Sequence, residues 1–324
     1  KVAVSGSIVQ VNVAELAASR PVTNVGTALA GQVAGMKVIN TGNVPGAESQ
    51  NITIRGTGTI SNAAPLVIVD GVEGYMTDVD ASDIETITVL KDAASSAIYG
   101  ARASNGVILV TTKSGNYNKA PTITFEASVA RQDLASKIDY LDAEQSLTYA
   151  RKSWQDWLNV PARATSARGA LTGVSPYGTG NGENSQYTTR YYEGGDLPEG
   201  YKTMVDPIDP SKTLMYKETD WRSIVFPVAL YQKYRVSVDG GADRVRYNAG
   251  LGYTSDSGVM IGSGYNRFNA KVAFEVKVTK KLTASVNADF ARSLQKDLGI
   301  QRNTIFRAMQ ALPPTLAPYF PDGT

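Results

Sequence analysis

The chain has 324 residues, a formal net charge of +2, and neither cysteine nor histidine. Its length is compatible with two domains, and its near balance of 32 basic and 30 acidic side chains gives no reason to expect a nucleic-acid partner. The lack of cysteine excludes disulfides, thiolate catalysis and zinc–thiolate sites, and the lack of histidine excludes His-based triads and ordinary transition-metal sites.

The first part of the chain, up to about residue 117, predicts a compact α/β unit. Its strands are short, and its one early helix is rich in small residues. In chain order the expected elements are strands over 2–4 and 8–11, a helix over 24–33 with Asn24 as its cap, and strands over 36–39, 52–55 and 66–69.

The segment 83–115 contains the densest set of local signals. Asp92 occupies a helix N-cap position before a run of small residues, and Gly100 stands where that helix would stop. Asn105-Gly106 is a turn dipeptide before the β-rich run 107–112. We interpret Lys91-Asp92 as a capped helix start and the earlier Asp70-Gly71 as a strand-ending turn, so both are structural.

Together these motifs resemble the plug domain of TonB-dependent outer-membrane transporters. Three motifs are similar to those of the SusC-like (RagA-like) branch, which imports glycans or peptides in Bacteroidota-type bacteria. These motifs are Val89-Leu90-Lys91-Asp92-Ala93, Ile98-Tyr99-Gly100 and Asn105-Gly106-Val107. The residues that we assign to this plug signature are Gly56, Asp70, Gly71, Lys91, Asp92, Tyr99, Gly100, Asn105 and Gly106.

The second part of the chain alternates apolar and polar residues with a period of two. The alternating segments are 122–130, 232–238, 245–253, 268–278 and 282–290. The length of these segments suits tilted membrane strands. A soluble β-sandwich is the alternative interpretation of the alternation. Tight turns at 239–243 and 279–281 alternate with longer gaps at 131–231, at 254–267 and after residue 290. Such asymmetry favours a barrel with short periplasmic turns and longer extracellular loops.

The expected fold is therefore an α+β plug domain at 1–117, followed at 118–324 by the first antiparallel strands of a transmembrane β-barrel. Plugged transporters have about 22 strands, so we expect the N-terminal portion of a larger protein, with Lys1 as an internal starting point. The long extracellular loop is expected at about 131–231. Within it, 141–158 predicts a helix capped by Asp142.

The aromatic residues of this loop have two interpretations. Trp154, Trp157 and Trp221 all lie in it. We favour a folded loop that docks a partner, and stacking on substrate sugars is the alternative.

The candidate site residues lie in the plug. The resemblance implies that Arg55, in the sequence Ile54-Arg55-Gly56, pairs with carboxylates of the barrel wall and fixes the plug. It also implies that the loops 40–51 and 72–80 face outward, so the candidate substrate contacts are Asn43, Glu48, Tyr75, Met76 and Asp78.

Two further patterns have plainer explanations. The carboxylates between Asp78 and Asp83 lack the glycine and distal glutamate of an EF-hand, which favours a solvated loop leading into an Asp83 cap. The glycines of 56–58 and 71–74 lack phosphate-loop spacing and are interpreted as turn residues.

The resemblance implies TonB-dependent active import of oligosaccharides or oligopeptides across the outer membrane, without catalytic residues, a cofactor or a metal. The implied partners are a SusD-like surface lipoprotein, TonB through a box outside this sequence, and outer-membrane lipid; a dimer of transporter–lipoprotein pairs is also compatible. Three alternatives stay open: a metallophore receptor, a non-transporting carbohydrate-binding surface β-protein, and a glycoside hydrolase with paired carboxylates.

Overall fold

The computed structural model describes residues 8–12, 25–40, 45–46, 50–54, 56, 64–135, 138–299 and 301–323. Its strands are β1 (Ile8–Asn12), β2 (Met36–Asn40), β3 (Gln50–Ile54), β4 (Leu66–Val69), β5 (Val72–Glu73), β6 (Ile84–Leu90), β7 (Val107–Thr112), β8 (Thr122–Gln132), β9 (Arg190–Tyr191), β10 (Tyr201–Asp206), β11 (Asp209–Lys217), β12 (Ala229–Gly241), β13 (Val245–Asp256), β14 (Gly264–Lys277) and β15 (Thr283–Lys296). Its α-helices are α1 (Val25–Leu29), α2 (Ala93–Ser96), α3 (Ala143–Trp157), α4 (Ala164–Thr172), α5 (Trp221–Val225) and α6 (Gln301–Ala311).

The chain divides into two compact units. The first comprises residues 1–133 and 228–298, and the second comprises residues 134–227 and 299–324. Across the described ranges, no helix is both long enough and apolar enough to cross a membrane.

The early part of the first unit has its own hydrophobic core. Its sheet has the strand order β1-β6-β7-β4-β5, and β2 pairs with β3 in a separate hairpin. Leu29, Ile87 and Ile108 are fully buried between these layers. All members of the two hydrophobic clusters of this region lie between Ile8 and Val110. We call this part, with β1 to β7, the plug.

Several local predictions for the plug are confirmed. The Asp92 carboxylate accepts a hydrogen bond from the Ser95 N–H at 2.6 Å, and α2 begins directly after it. Gly100, with a φ of 73°, ends the short 3₁₀ turn that follows α2. Gly106 has a φ of 91°, and a Cβ there would lie 2.9 Å from Ile54 Cδ1, so glycine is required.

The Asp70-Gly71 turn has the geometry of a two-residue hairpin. Both residues have positive φ values, 49° and 90°, and Val69 pairs with Val72 across the turn. The Asp70 carboxylate also accepts a hydrogen bond from the Thr112 N–H at 2.9 Å. This contact ties the hairpin to β7.

The helix expected over 24–33 is shorter than predicted. Only Val25–Leu29 is α-helical, and Gly31 and Gly35 have φ values of 76° and 80°. Left-handed glycines cannot continue an α-helix, and they direct the chain into β2. The expected cap, Asn24, lies outside the described residues.

The later part of the first unit is one antiparallel sheet with the order β15-β14-β13-β12-β8, which we call the wall. All five predicted strands are present, and each is longer than its predicted segment. The predicted apolar face is the exposed one: Phe125, Val236 and Val286 are 69%, 42% and 59% exposed. The polar face of β12, β13 and β14 is largely buried. The wall is therefore apolar outside and polar inside.

One predicted connection is corrected by the longer strands. The gap expected over 254–267 reduces to residues 257–263, because β13 and β14 continue their ladder to the pair Asp256 and Tyr265. Since β8, β13 and β15 end where β12 and β14 begin, the exits of residues 132, 256 and 296 lie at one end of the wall. We call it the loop end.

The second unit combines the three-stranded sheet β10-β11-β9 with α3 to α6. The predicted Asp142 cap is confirmed and forms a capping box with Gln145. Arg151 on α3 and Asp206 on β10 form a buried two-point ion pair, with nitrogen–oxygen distances of 3.0 and 2.7 Å. Their side chains are 1% and 0% exposed, so this pair lies in the core of the unit.

The two chain segments of the second unit are bonded to each other. Thr188 Oγ1 donates to the Thr315 carbonyl at 2.8 Å, and Trp221 Nε1 donates to the Pro313 carbonyl at 3.0 Å. Trp154 and Trp157 meet edge to face at 4.9 Å between ring centroids. These tryptophan contacts are internal to the unit, and both the docking of a partner and the stacking on sugars stay predictions.

Replacing Asp206 by alanine leaves the buried Arg151 guanidinium without its counter-charge. We expect a loss of about 3–5 kcal/mol from the stability of the second unit, because an unpaired buried charge keeps its full desolvation cost. Thermal unfolding and limited proteolysis of the full-length protein measure it. Asp209→Ala, at an exposed ion pair with Lys212, is the matched control. Equal stability of the two variants would contradict this account.

Candidate functional site

The inner face of the wall is organised in lateral rungs, each made of residues paired across adjacent strands. The upper rung, nearest the loop end, joins Lys233, Thr254 and Arg267. The middle rung joins Arg235, Gly252 and Asn269, and the lower rung joins Ser237, Gly250, Lys271 and Asp289. These three rungs therefore present four cationic side chains, two from β12 and two from β14.

A short plug segment, residues 77–83, is bound to the upper and middle rungs. Lys233 Nζ lies 2.7 Å from Asp80 Oδ1, and Arg235 Nη2 lies 2.6 Å from Asp83 Oδ1. Asn269 Nδ2 donates to the other Asp83 oxygen at 3.2 Å. Two plug carboxylates thus face two wall cations.

Arg267 binds the same segment through its backbone. Its Nη1 donates to the Thr77 carbonyl at 2.8 Å, and its Nη2 donates to the Asp78 carbonyl at 3.0 Å. The planar guanidinium fork suits two neighbouring acceptors, and a bond from a charged donor is stronger than a neutral one.

Glycines of β13 make room for these side chains. A Cβ at Gly252 would lie 2.5 Å from Asn269 Oδ1, and a Cβ at Gly250 would lie 2.8 Å from Arg235 Nη2. Arg235 and Asn269 can therefore lie over β13 and reach Asp83 from both sides. The run Gly250-Leu251-Gly252 keeps one apolar residue outward between two empty inward positions.

The ion pair of Asp83 with Arg235 is almost completely buried, with side chains 2% and 3% exposed. Burial carries a desolvation cost that the pair offsets only while both charges and their hydrogen bonds remain together. Burial alone would raise the pKa of Asp80, but the charge of Lys233 and the hydrogen bonds from Lys233 and Ser82 outweigh it, so the pKa is lowered.

The lower rung holds a buried ammonium group. Lys271 is 1% exposed, and its Nζ lies 3.9 Å from Asp289 Oδ1 with no hydrogen bond to any residue that the structure describes. Asn287 on β15 donates to Asp70 Oδ2 at 3.4 Å, a weak contact. Asn287 pairs with Ala273, one step below the lower rung, so this part of the wall binds the plug less tightly than the two upper rungs do.

The linker after β7 is fastened to the opposite end of the wall. Tyr117 donates a hydrogen bond to Glu275, which raises the pKa of the phenol, and Lys277 Nζ lies 3.8 Å from the Tyr117 ring centroid. Lys119 forms an ion pair with Asp239. A Cβ at Gly115 would lie 2.2 Å from the Tyr247 carbonyl oxygen, so the linker and the wall are in close backbone contact.

The predicted substrate contacts lie in different environments. Tyr75 is 75% exposed, and Asp78 is also exposed, with Oδ2 accepting from the Tyr75 N–H at 2.9 Å. Met76 is only 8% exposed and belongs to the plug core, which argues against its prediction as a ligand contact. Asn43, Glu48 and the predicted anchor Arg55 lie outside the described residues.

The interpretation of the carboxylates at 78–83 as a solvated loop is wrong for Asp80 and Asp83, although Asp78 is exposed. Asp80, not Asp83, caps the short 3₁₀ helix Ala81–Asp83, and Asp83 is buried against Arg235. The wall residues of this contact were also missed. The available signal was charge on the polar face of two predicted strands, Lys233 and Arg235 in one and Lys271 in the other. It could not by itself indicate a partner 150 residues earlier.

The plug signature residues serve structural roles. Lys91 Nζ donates to the Ala34 carbonyl at 3.1 Å, and Tyr99 packs against the smaller plug cluster. Gly56 has a φ of 90°. Within the described ranges, no group of three or more acidic side chains is arranged to hold a metal ion.

Comparison with known proteins agrees with this architecture. Residues 1–107 match the family model described as the TonB-dependent Receptor Plug Domain. The chain is 33% identical over 262 residues to the TonB-dependent receptor SusC of Bacteroides thetaiotaomicron, covering 77% of this chain and 21% of that protein. The chain belongs to the SusC-like TonB-dependent receptors.

Other relatives cover nearly the whole chain. The TonB-dependent receptor P3 of Formosa agariphila is 29% identical over 331 residues, covering 99% of this chain and 27% of that protein. The RagAB peptide importer in its open-open state superposes with a TM-score of 0.69 at 26% identity, covering 100% of this chain and 35% of the compared chain. This SusC-like chain thus spans between about a fifth and about a third of these three proteins.

Asp83→Ala should release the plug from the wall more than any exposed substitution. The variant leaves Arg235 buried and unpaired, at a cost of about 3–5 kcal/mol. Protease sensitivity of the plug in the purified full-length receptor measures the effect. The control is Glu73→Ala, which removes an exposed ion pair with Arg102 of less than about 1 kcal/mol. Similar sensitivity of both variants would contradict the assignment.

The Asp80 contact should survive moderate acid. Because its folded-state pKa is below the usual value of 3.8, its stabilising contribution is present above that value and is lost as the pH falls through the lower, folded-state pKa. Lowering the pH from about 7 to about 5 should therefore leave Lys233 and Asp80 paired. Spin-label mobility on the plug of the full-length receptor checks this, with Asp80→Asn as the control. A release centred near pH 6 would contradict it.

Proposed function

We propose that this chain is part of an outer-membrane importer that takes up oligosaccharides or oligopeptides by TonB-dependent active transport. The plug is the movable stopper and the wall is part of the lipid-facing barrel. On this proposal no residue acts as a catalyst, and the protein changes the position of its cargo rather than its bonds.

The observation that carries this proposal is the pairing of a wall that is apolar outside and polar inside with a plug that has its own core. An outward apolar face on long antiparallel strands fits a lipid environment, and an inward polar face fits a hydrated lumen. The plug meets that polar face through ion pairs and hydrogen bonds, as at Asp83 and Arg235. A stopper bonded in this way can detach without exposing hydrophobic surface.

The family relationship supports a proposal about the partners. We propose a SusD-like surface lipoprotein as the extracellular lid, TonB as the source of pulling force, and a dimer of transporter–lipoprotein pairs as the assembly. The solved neighbour RagAB is described as a peptide importer, which supports peptide cargo, while the SusC relationship equally leaves glycan cargo open.

The proposal predicts nutrient uptake that needs both the receptor and an energised inner membrane. Cells with and without the full-length receptor gene are grown on yeast extract, and mass spectrometry follows depletion of its oligosaccharide and oligopeptide fractions. We expect one fraction to persist in the deletion strain and in protonophore-treated cells. Equal depletion of both fractions with and without the receptor would overturn the proposal.

A second readout is independent of the cargo. Cells expressing the Asp83→Ala receptor should become sensitive to vancomycin, which is too large for ordinary outer-membrane pores, because a loosened plug leaves the lumen open. Cells expressing Glu73→Ala should keep wild-type resistance. Equal sensitivity in both strains would show that loss of the buried pair does not open the lumen.

A further inference from the structure

The turn at residues 75–78 leaves the side chain of Tyr75 outside the plug core. The Tyr75 N–H donates to Asp78 Oδ2 at 2.9 Å, and the Asp78 N–H donates to the Tyr75 carbonyl at 3.1 Å. The next residue, Met76, is buried in the plug core, whereas the Tyr75 side chain is 75% exposed. The turn thus holds one side chain in the core and leaves the other free.

A wall residue, Arg267, binds the backbone of this turn. Arg267 donates to the carbonyls of Thr77 and Asp78, is itself only 7% exposed, and lies on the upper rung, nearest the loop end. The same plug segment is already bound to the wall further along the chain, at Asp80 and Asp83. The additional clamp therefore acts on the turn itself more than on the attachment of the plug.

We propose that Arg267 is a positioning residue that holds the Tyr75 turn as a preformed ligand contact. This inference rests on the proposed function and deepens it. An ordered turn that presents an unpacked phenol ring loses little conformational freedom when a ligand binds, so more of the contact energy appears as affinity. The ring would take a flat, weakly polar face of the cargo, with its hydroxyl group available for a hydrogen bond.

Oligosaccharides and oligopeptides can both present a flat, weakly polar ring face. A pyranose ring presents it in an oligosaccharide, and a proline or aromatic side chain presents it in an oligopeptide. The oligosaccharide and oligopeptide fractions of yeast extract are therefore used as two separate probes. The fraction whose uptake depends on Tyr75 identifies the source.

Accessibility is tested first. In cells that express the full-length receptor with Tyr75→Cys, a membrane-impermeant maleimide should label the cysteine from outside, with cells that express the unsubstituted receptor for background. A spin label at the same position should move faster when Arg267→Ala is added. An unreactive cysteine would mean that later parts of the protein cover position 75, and would overturn the inference.

Uptake kinetics then separate positioning from folding. Tyr75→Ala should raise the half-saturation concentration about two- to tenfold with the maximal rate unchanged, whereas Tyr75→Phe should stay near wild type. Arg267→Ala should reproduce the Tyr75→Ala shift, add nothing to it in the double variant, and be partly rescued by Arg267→Lys. Ile98→Ala, at a residue that is 83% exposed in the plug and lies outside the loop 72–80, is the control.

The failures are distinguishable. If Arg267→Ala lowers the maximal rate or causes vancomycin sensitivity without changing half-saturation, the residue has only a structural role and the inference is overturned. An unchanged half-saturation in Tyr75→Ala overturns it as well. If the receptor deletion leaves depletion of both fractions unchanged, the proposed function itself has failed.

Discussion

The structure of the first unit depends on placing charge inside a sheet whose outside is apolar. Arg235 on the wall and Asp83 on the plug are both buried in their contact. Burying either side chain without the other would leave an unpaired charge that keeps its full desolvation cost. This requirement explains the neighbouring composition of the wall. Glycines at 250 and 252 provide the space, Asn269 supplies the second hydrogen bond to Asp83, and Lys233 repeats the pairing at Asp80.

The same constraint explains why the plug has a complete core of its own. The hydrophobic clusters of this region lie between Ile8 and Val110, so within the described ranges they include no residue from the wall. The hydrophobic effect therefore holds the plug together but contributes little to holding it in place. Its attachment relies on directional polar bonds, for which water can substitute when the plug leaves. A stopper that has to leave and return benefits from this division.

Sequence patterns predicted what is locally encoded and missed what depends on topology. The period-two alternation located all five wall strands. Asp92 and Asp142 cap the starts of their helices and Gly100 ends the helical stretch after Asp92 as expected, because each signal acts within a few residues. The contact of Asp83 with Arg235 spans 152 positions and exists only because β12 pairs between β8 and β13. Where the sequence shows no partner for its carboxylates, an acidic loop is predicted to be solvated. The predicted roles of Arg55, Asn43 and Glu48 and the domain boundary at residue 117 stay predictions.

The two anchoring carboxylates act as one unit because local structure joins them. Asp80 caps the 3₁₀ helix Ala81–Asp83, its Oδ1 accepts from the Ser82 N–H at 2.8 Å, and its carbonyl accepts from the Asp83 N–H at 2.9 Å. A displacement of either residue is therefore passed to the other through a rigid turn. Since charge pairs lose most of their attraction once water enters between them, separation at one rung exposes the next. The anchor should then yield in a single step, as a stopper that is either seated or released requires.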